Sequence, residues 1–329
     1  MKKKLIWFFI RFFISSAIIG YTLNILSDKY GGLGNGLSHF AGAFTNASLN
    51  WLIPAFLLHF IGMALMSFRW KILLKGQGVD AGYGSLYSFN MMAAFFNNFL
   101  PSTIGGDVVK AVESKKFTGD HTTSFMVIFV ERLTGLISLA LIALTAFVIR
   151  FAGGSGGNEE GNPLFFIIAI ILGITMVIII SYPTVSGKVL KIFSKILPKK
   201  LNDISEKGFA ALSAYFKYPL LLLSSLGISL VFQFNMVLYY YFISRSLGQS
   251  PDFIDFMSKA PMLIFLLMTV PSVNGIGVRT AVFGGLMKFP AASALACEVI
   301  DIGMRMLLGL FGGVFFLFHK RTGSGKDKG

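Results

Sequence analysis

Six long apolar runs, at residues 5–26, 51–74, 124–150, 163–182, 219–244 and 291–318, decide what this chain of 329 residues becomes. A helix of about 20 apolar residues crosses the roughly 30 Å hydrocarbon core of a bilayer, so each run is long enough to span. No water satisfies backbone groups there, and a spanning segment outside a closed barrel must therefore be helical. With 54% hydrophobic and 13% charged residues, the composition excludes an ordinary soluble domain. The expected fold class is an all-α polytopic membrane protein, a single membrane domain over residues 1–329.

Two further apolar stretches stop short. Residues 86–96 run into Asn97-Asn98-Phe99-Leu100-Pro101-Ser102-Thr103-Ile104-Gly105-Gly106-Asp107. Pro101 removes a backbone donor and biases Leu100 away from helical angles, while Gly105 and Gly106 permit a sharp reversal. A re-entrant helical hairpin is the economical reading. The pattern returns 170 residues later in Val270-Pro271-Ser272-Val273-Asn274-Gly275-Ile276-Gly277-Val278-Arg279-Thr280-Ala281, where Pro101/Pro271, Ser102/Ser272, Gly105/Gly275, Val108/Val278 and Ala111/Ala281 coincide. The second hairpin is predicted over about 253–289. Weaker echoes pair Gly76-Gln77 with Gly248-Gln249, and Arg132 and Gly135 with Arg305 and Gly309.

The remaining segments read as connections. Residues 27–50, rich in Gly, Ser and Asn, are expected to form a loop. Residues 183–218 carry seven lysines with Leu190, Phe193 and Leu197 at helical spacing, which suits a basic amphipathic helix on an anionic membrane face. A short basic tail covers 319–329. Twenty of the 29 Lys and Arg fall in the segments that place both termini on the cytoplasmic side of the cell membrane. In that orientation the chain becomes an inverted repeat of two units, residues 5–150 and 164–318, each with three transmembrane helices and one hairpin. Such repeats, with broken helices meeting near the midplane, are how many transporters achieve alternating access.

The net charge of +14 is dispersed in short segments between apolar runs, so no nucleic-acid partner is expected. Cys297 is the only cysteine, which excludes an intrachain disulfide. None of the four histidines has a ligand partner at i+3 or i+4, and neither a metal nor a cofactor is expected.

Ionisable groups inside spans are costly and usually face a bundle interior or a water-filled cavity. Glu131 and Arg132 lie in the third span; Glu298, Asp301 and Arg305 share one face of the sixth, where Asp301 and Arg305 can pair at i+4. These charges either hold helices together or form a path on which Arg132, Arg279 and Arg305 meet a lipid phosphate and Asp107, Glu131, Glu298 or Asp301 carries a proton or meets a cationic headgroup. Asn97, Asn98, Ser102 and Asn274 are candidate headgroup contacts, while Asn90, Gln233 and Asn235 line a polar path or act as interhelical glue. Asp107 either caps the helix after Gly106 or contacts the headgroup. Free amides at the half-helix N-termini offer a further anion site. His59 reads as a buried, hydrogen-bonded side chain in preference to a proton relay.

The Leu-Pro-Ser-x-x-Gly-Gly-Asp stretch ending at Asp107, the following Glu131-Arg132-x-x-Gly135 and the later Pro-Ser-x-x-Gly-x-Gly-Val-Arg ending at Arg279 resemble the lysylphosphatidylglycerol synthase transmembrane-region family, over about residues 5–318. The second motif departs from the family's usual Gly-Gly-x-Gly-x-Arg/Lys-Glu pattern, with Asn274 at its first glycine and Thr280 at its acidic position. In the multiple peptide resistance factors of that family such a region is implicated in moving aminoacylated phospholipids between leaflets, while a separate soluble domain makes the lipid. No such enzymatic domain is expected here. The resemblance implies a flippase whose partners are membrane lipids with an anionic phosphate or aminoacylated headgroup, and leaves open a separate lipid-modifying enzyme and homodimerisation. The alternative is a proton-coupled secondary transporter of a small hydrophilic solute.

Overall fold

The structure, a computed structural model, describes residues 16, 20–21, 23–99, 110, 115, 117–119, 121–152, 215, 218–270 and 275–323. Among them, helices α1 (Leu33–Thr45), α2 (Leu49–Gly76), α3 (Tyr83–Phe99), α4 (His121–Ala152), α5 (Pro219–Ser246), α6 (Phe253–Thr269), α7 (Val278–Gly285) and α8 (Ala291–Gly323) follow in order. Four segments of these, Leu49–Gly76, Thr123–Ala152, Pro219–Ser246 and Ala291–Leu317, are long and apolar enough to cross a membrane. The fourth predicted span, most of the first, nearly all of the basic segment at 183–218 and the end of the tail lie outside the described residues. So do Pro101, Ser102, Gly105, Gly106, Asp107, Pro271 and Asn274.

Residues 27–50 are not the loop that their composition suggests. Residues 23–30 are helical, Gly31 and Gly32 break the chain at φ of 70° and 133°, and α1 follows at once. Leu33, Leu37, Phe40 and Phe44 recur at helical spacing through this glycine-rich sequence, and Phe40 packs on a core of Leu26, Ala291 and Ala292. Gly36 serves packing, since a Cβ there would lie 2.8 Å from Cγ of Leu26, whereas Gly34 and Gly42 have nothing within 4 Å. Of the four apolar residues at helical spacing only Phe40 lies on that core, while Leu33, Leu37 and Phe44 are exposed, so the segment is helical despite its glycines with little burial of the apolar face.

Helix ends recur at a fixed interval. α2 and α5 are both 28 residues long, α3 and α6 both 17, and α4 and α8 begin at His121 and Ala291; the members of each pair start 170 residues apart. α2 and α5 also stop in the same way. Gly78 and Gly248 take φ of 74° and 73°, and Val79 and Gln249 donate back to the carbonyls of Leu74 and Ser244, each 3.1 Å away. The register therefore sets Gly78, rather than Gly76, opposite Gly248, and Glu131 opposite Asp301 in place of the Arg132/Arg305 echo.

The chain divides into two compact units, one of Met1–Gly62, Met91–Gly106 and Asn235–Gly329, the other of Met63–Asn90 and Asp107–Phe234. In the first, α8 packs on α7 and α1, and α6 packs on α7. α8 also meets α3 closely, because Gly309, Gly312 and Gly313 leave room for Asn98, Met91 and Phe95. Phe311 of α8 closes on Phe56 and Phe60 of α2, with ring centroids 6.4 and 5.4 Å apart. In the second, Tyr215 fills the space left by Gly76 and donates to the carbonyl of Leu73 at 2.9 Å. Burial in this apolar setting raises the Tyr215 phenol above its ordinary pKa.

A Cβ added at Gly312 would overlap the carbonyl oxygen of Met91, a backbone atom that has no alternative rotamer. Gly312→Ala is therefore expected to destabilise the chain by ~1–3 kcal/mol. Gly303→Ala, on the same helix with nothing within 4 Å, is expected to be neutral or to gain up to about 1 kcal/mol. Thermal unfolding of the detergent-solubilised variants measures both, and equal melting temperatures would refute the close helix approach.

Candidate functional site

Among the described residues, each compact unit buries an ionic cluster built on a carboxylate from a long apolar helix. In the first unit the carboxylate is Asp301 of α8, only 1% exposed. Arg279 Nε from α7 lies 2.6 Å from Asp301 Oδ2, and Arg305 Nε, one turn along α8, lies 2.9 Å from the same oxygen. Tyr239 of α5 donates its hydroxyl to Asp301 Oδ1 at 2.8 Å. His59 of α2 stacks on Tyr239 with centroids 4.4 Å apart, and its buried Nε2 has no hydrogen-bond partner. The expectation of a hydrogen-bonded His59 therefore fails at that atom: the ring is held by aromatic contact.

Glu298, one turn before Asp301, does different work. Its Oε1 accepts from the amide of Gly277 at 2.5 Å, and its Oε2 accepts from the amide of Thr280 at 3.0 Å and from the Thr280 hydroxyl. A carboxylate is thus set at the N-terminus of α7, where amide donors and the helix dipole favour negative charge. The expected anion site at this half-helix is filled by the chain itself. The turn that permits this needs glycine. Gly275 and Gly277 sit at φ of 76° and 85°, and a Cβ on Gly275 would lie 2.6 Å from Arg279 Nη1.

In the second unit the carboxylate is Glu131 of α4, 4% exposed. Arg69 Nη2 of α2 donates to its Oε1 at 2.8 Å, and Lys110 Nζ donates to Oε2 at 2.8 Å and to Oε1 at 3.0 Å. Arg69 Nη1 donates to Ser229 Oγ of α5 at 2.9 Å, and Ser229 in turn reaches Thr134 Oγ1 at 3.2 Å. The Lys110 ammonium stands 4.8 Å from the Trp70 ring centroid, and the Arg69 guanidinium 5.6 Å from that of Phe232.

The structure engages the predicted residues unevenly. It brings Glu298, Asp301, Arg279 and Arg305 together. Glu131 is met by Arg69 and Lys110 and not by its neighbour Arg132, which is half-buried on α4. Asn97 and Asn98 are half-buried at the end of α3, and Asn98 donates to the carbonyl of Arg305 at 3.1 Å. Asn90, Gln233 and Asn235 donate to Ser67 Oγ, the carbonyl of Gly135 and the carbonyl of Leu58, so all three join elements distant in sequence. Sequence reasoning named neither Arg69 nor Lys110 among the candidate site residues. The signal that exposes Arg69 is its position inside a 28-residue apolar helix.

A cavity of about 460 Å³ lies elsewhere in the first unit, lined by Ser38, His39, Gly42, Ala43, Asn46, Leu247 and Gly248. Its lining contains no Asp, Glu, Lys or Arg. Among the described residues no three His, Cys, Asp or Glu gather as metal ligands.

The lysylphosphatidylglycerol synthase TM region family model matches residues 9–313. The chain belongs to this family. It is also similar to a UPF0104 membrane protein of Pyrococcus horikoshii, at 23% identity over 92% of this chain and 96% of that protein. A UPF0104 membrane protein of Methanocaldococcus jannaschii matches at 28% identity over 35% of this chain and 34% of its own length. No solved structure matches. Thr280 stands where the family pattern leads one to expect an acid, and here α8 brings the carboxylate of Glu298 to that residue's amide and hydroxyl.

Asp301→Asn leaves Arg279 and Arg305 without their shared counter-charge and is expected to cost ~3–5 kcal/mol. Tyr239→Phe removes one hydrogen bond to the same carboxylate and is expected to cost about 1–2 kcal/mol. Adding Arg279→Gln to Asp301→Asn should recover part of the loss. Equal melting of the two single variants would show that Asp301 does not hold the cations.

Proposed function

We propose that this family member is a lipid translocase that carries a phospholipid or glycolipid between leaflets of the cell membrane. It works without catalysing a covalent reaction. Its two repeats are opposed in the bilayer, each with three spans and a re-entrant hairpin, and both termini face the cytoplasm. Membrane lipids, with an anionic phosphate or aminoacylated headgroup, are its partners. The observation that supports this reading is the pair of buried ionic clusters inside helices long enough to span. Charge at that depth is expensive and, where retained, marks the path of a polar group through the membrane. Arginine stays charged and presents a planar fork of donors that matches phosphate, so a headgroup moving through the protein has a charged group to meet while its acyl chains stay in hydrocarbon.

The proton-coupled alternative needs a carboxylate that alternates between charged and neutral forms. Asp301 and Glu131 are each tied to two cations. Neutralising Glu131 would leave two buried cations without their counter-charge, and neutralising Asp301 would do so to the buried Arg279 and the partly exposed Arg305, a steep cost on every cycle.

Arg305 is the natural probe: its side chain is 23% exposed and Asp301 keeps Arg279 when Arg305 is changed. In vesicles containing the purified chain and a panel of headgroup-labelled lipids, leaflet exchange is expected above that of empty vesicles, and Arg305→Gln is expected to slow it about tenfold or more. Folded protein that exchanges none of the lipids would overturn the reading. So would uptake of a hydrophilic solute that tracks a proton gradient while lipid distribution stays fixed.

A further inference from the structure

The two clusters differ in their charge balance. In the first unit, two carboxylates, Glu298 and Asp301, stand against two guanidiniums, Arg279 and Arg305. In the second, Arg69 and Lys110 share the single carboxylate of Glu131. The residue 170 positions before Glu298 is Ile128, and the one 170 before Thr280 is Lys110. The second cluster therefore has an apolar residue in place of the Glu298 acid while keeping two cations, and among the described residues it carries one positive charge too many. Both cations are at least nine-tenths buried, with Arg69 5% and Lys110 4% exposed. Burying an uncompensated charge costs far more than burying a matched pair.

Hydrogen bonding is unfilled at the same place. Arg69 uses Nη1 and Nη2 on Ser229 and Glu131, but its buried Nε has no partner. Trp70 Nε1, on the indole beneath Lys110, and Gln233 Oε1, whose amide nitrogen holds the carbonyl of Gly135, are also buried without partners. Two spare donors beside a surplus cation are what a bound oxyanion would complete, and the unfilled Gln233 acceptor suits a hydroxyl carried on the same ligand.

We propose that Arg69 and Lys110, flanked by Trp70 and Gln233, form a binding site for a singly charged oxyanion of the phosphodiester class. One negative charge closes the balance. A dianion would overshoot it, and a neutral or zwitterionic group would leave it open. A phosphodiester is the anion that joins a phospholipid headgroup to its glycerol, and assigning the ligand to a lipid in place of a free phosphodiester rests on the translocase reading; the site itself does not.

The test uses the full chain in neutral detergent. Of its three tryptophans, Trp7 and Trp51 are changed to Phe, leaving Trp70 as the reporter with Arg69, Lys110 and Glu131 untouched. Short-chain phosphatidylglycerol and dimethyl phosphate are titrated separately, with diacylglycerol of the same chain length as the uncharged control. Saturable change of Trp70 emission with phosphatidylglycerol and none with diacylglycerol is the expected result, and a comparable response to dimethyl phosphate would support the site with a free phosphodiester as ligand. Arg69→Gln or Lys110→Met should then weaken the apparent affinity about tenfold or more. If these variants do not fold, the comparison of the three probes on the reporter chain still decides. Emission unmoved by both phosphodiesters, equal response to diacylglycerol, or affinity unchanged in either folded variant would overturn the proposal. Leaflet exchange in wild-type vesicles is read separately. Exchange without phosphodiester binding sinks this site alone, and binding without exchange sinks the translocase reading alone.

Discussion

The costliest feature of this chain is ionised side chains placed inside helices otherwise fit for hydrocarbon. Such groups persist only when the protein supplies opposite charge and hydrogen bonds at contact distance. Both compact units do so with one carboxylate serving two cations, Asp301 in one and Glu131 in the other, at positions 170 residues apart. A buried ion pair is no cheaper than apolar packing of the same volume. Keeping two such clusters in so apolar a chain is therefore a cost that apolar packing of the same volume would avoid.

The clusters share a plan and differ in chemistry. Positions 69 and 239 both reach the carboxylate, one as arginine and the other as tyrosine. Positions 59 and 229 both lie against that reaching residue, as an imidazole stacked on Tyr239 and as a serine accepting from Arg69. The first cluster thus combines neutral donors with balanced charge, while the second replaces a neutral donor by a cation and omits the second acid. A common helix register thus carries two buried polar environments of unequal charge.

What was legible in the sequence follows the range of the interaction. Apolar runs fix spans locally, and four of the six predicted runs fall within described helices long enough to cross. The Asp301 and Arg305 pair was legible because i+4 spacing on a helix brings side chains together by geometry alone. Arg69 with Glu131 was not, since 62 residues separate them and only tertiary packing brings α2 to α4. Lys110 hid for the same reason. α1 was missed because glycine content was weighed above the spacing of Leu33, Leu37, Phe40 and Phe44. The motif-level reading of the second hairpin foresaw the glycine turn and singled out Arg279, which the structure pairs with Asp301, but not that Glu298 would occupy the helix end first.

That occupation bears on how the region between α6 and α8 behaves. α7 has only eight residues, too few to sustain a helix by its own hydrogen bonds. Its order comes from α8, through the Glu298 carboxylate on the amides of Gly277 and Thr280 and through the Arg279 pair with Asp301. The turn before it, with Gly275 and Gly277 both at positive φ, needs glycine for its backbone, and Gly275 also for space, since a Cβ there would lie 2.7 Å from Leu267 of α6. α7 is therefore held to α8 by charge and hydrogen bonds and to α6 by packing, so the charged groups it bears are ordered by its neighbours and not by its own helix.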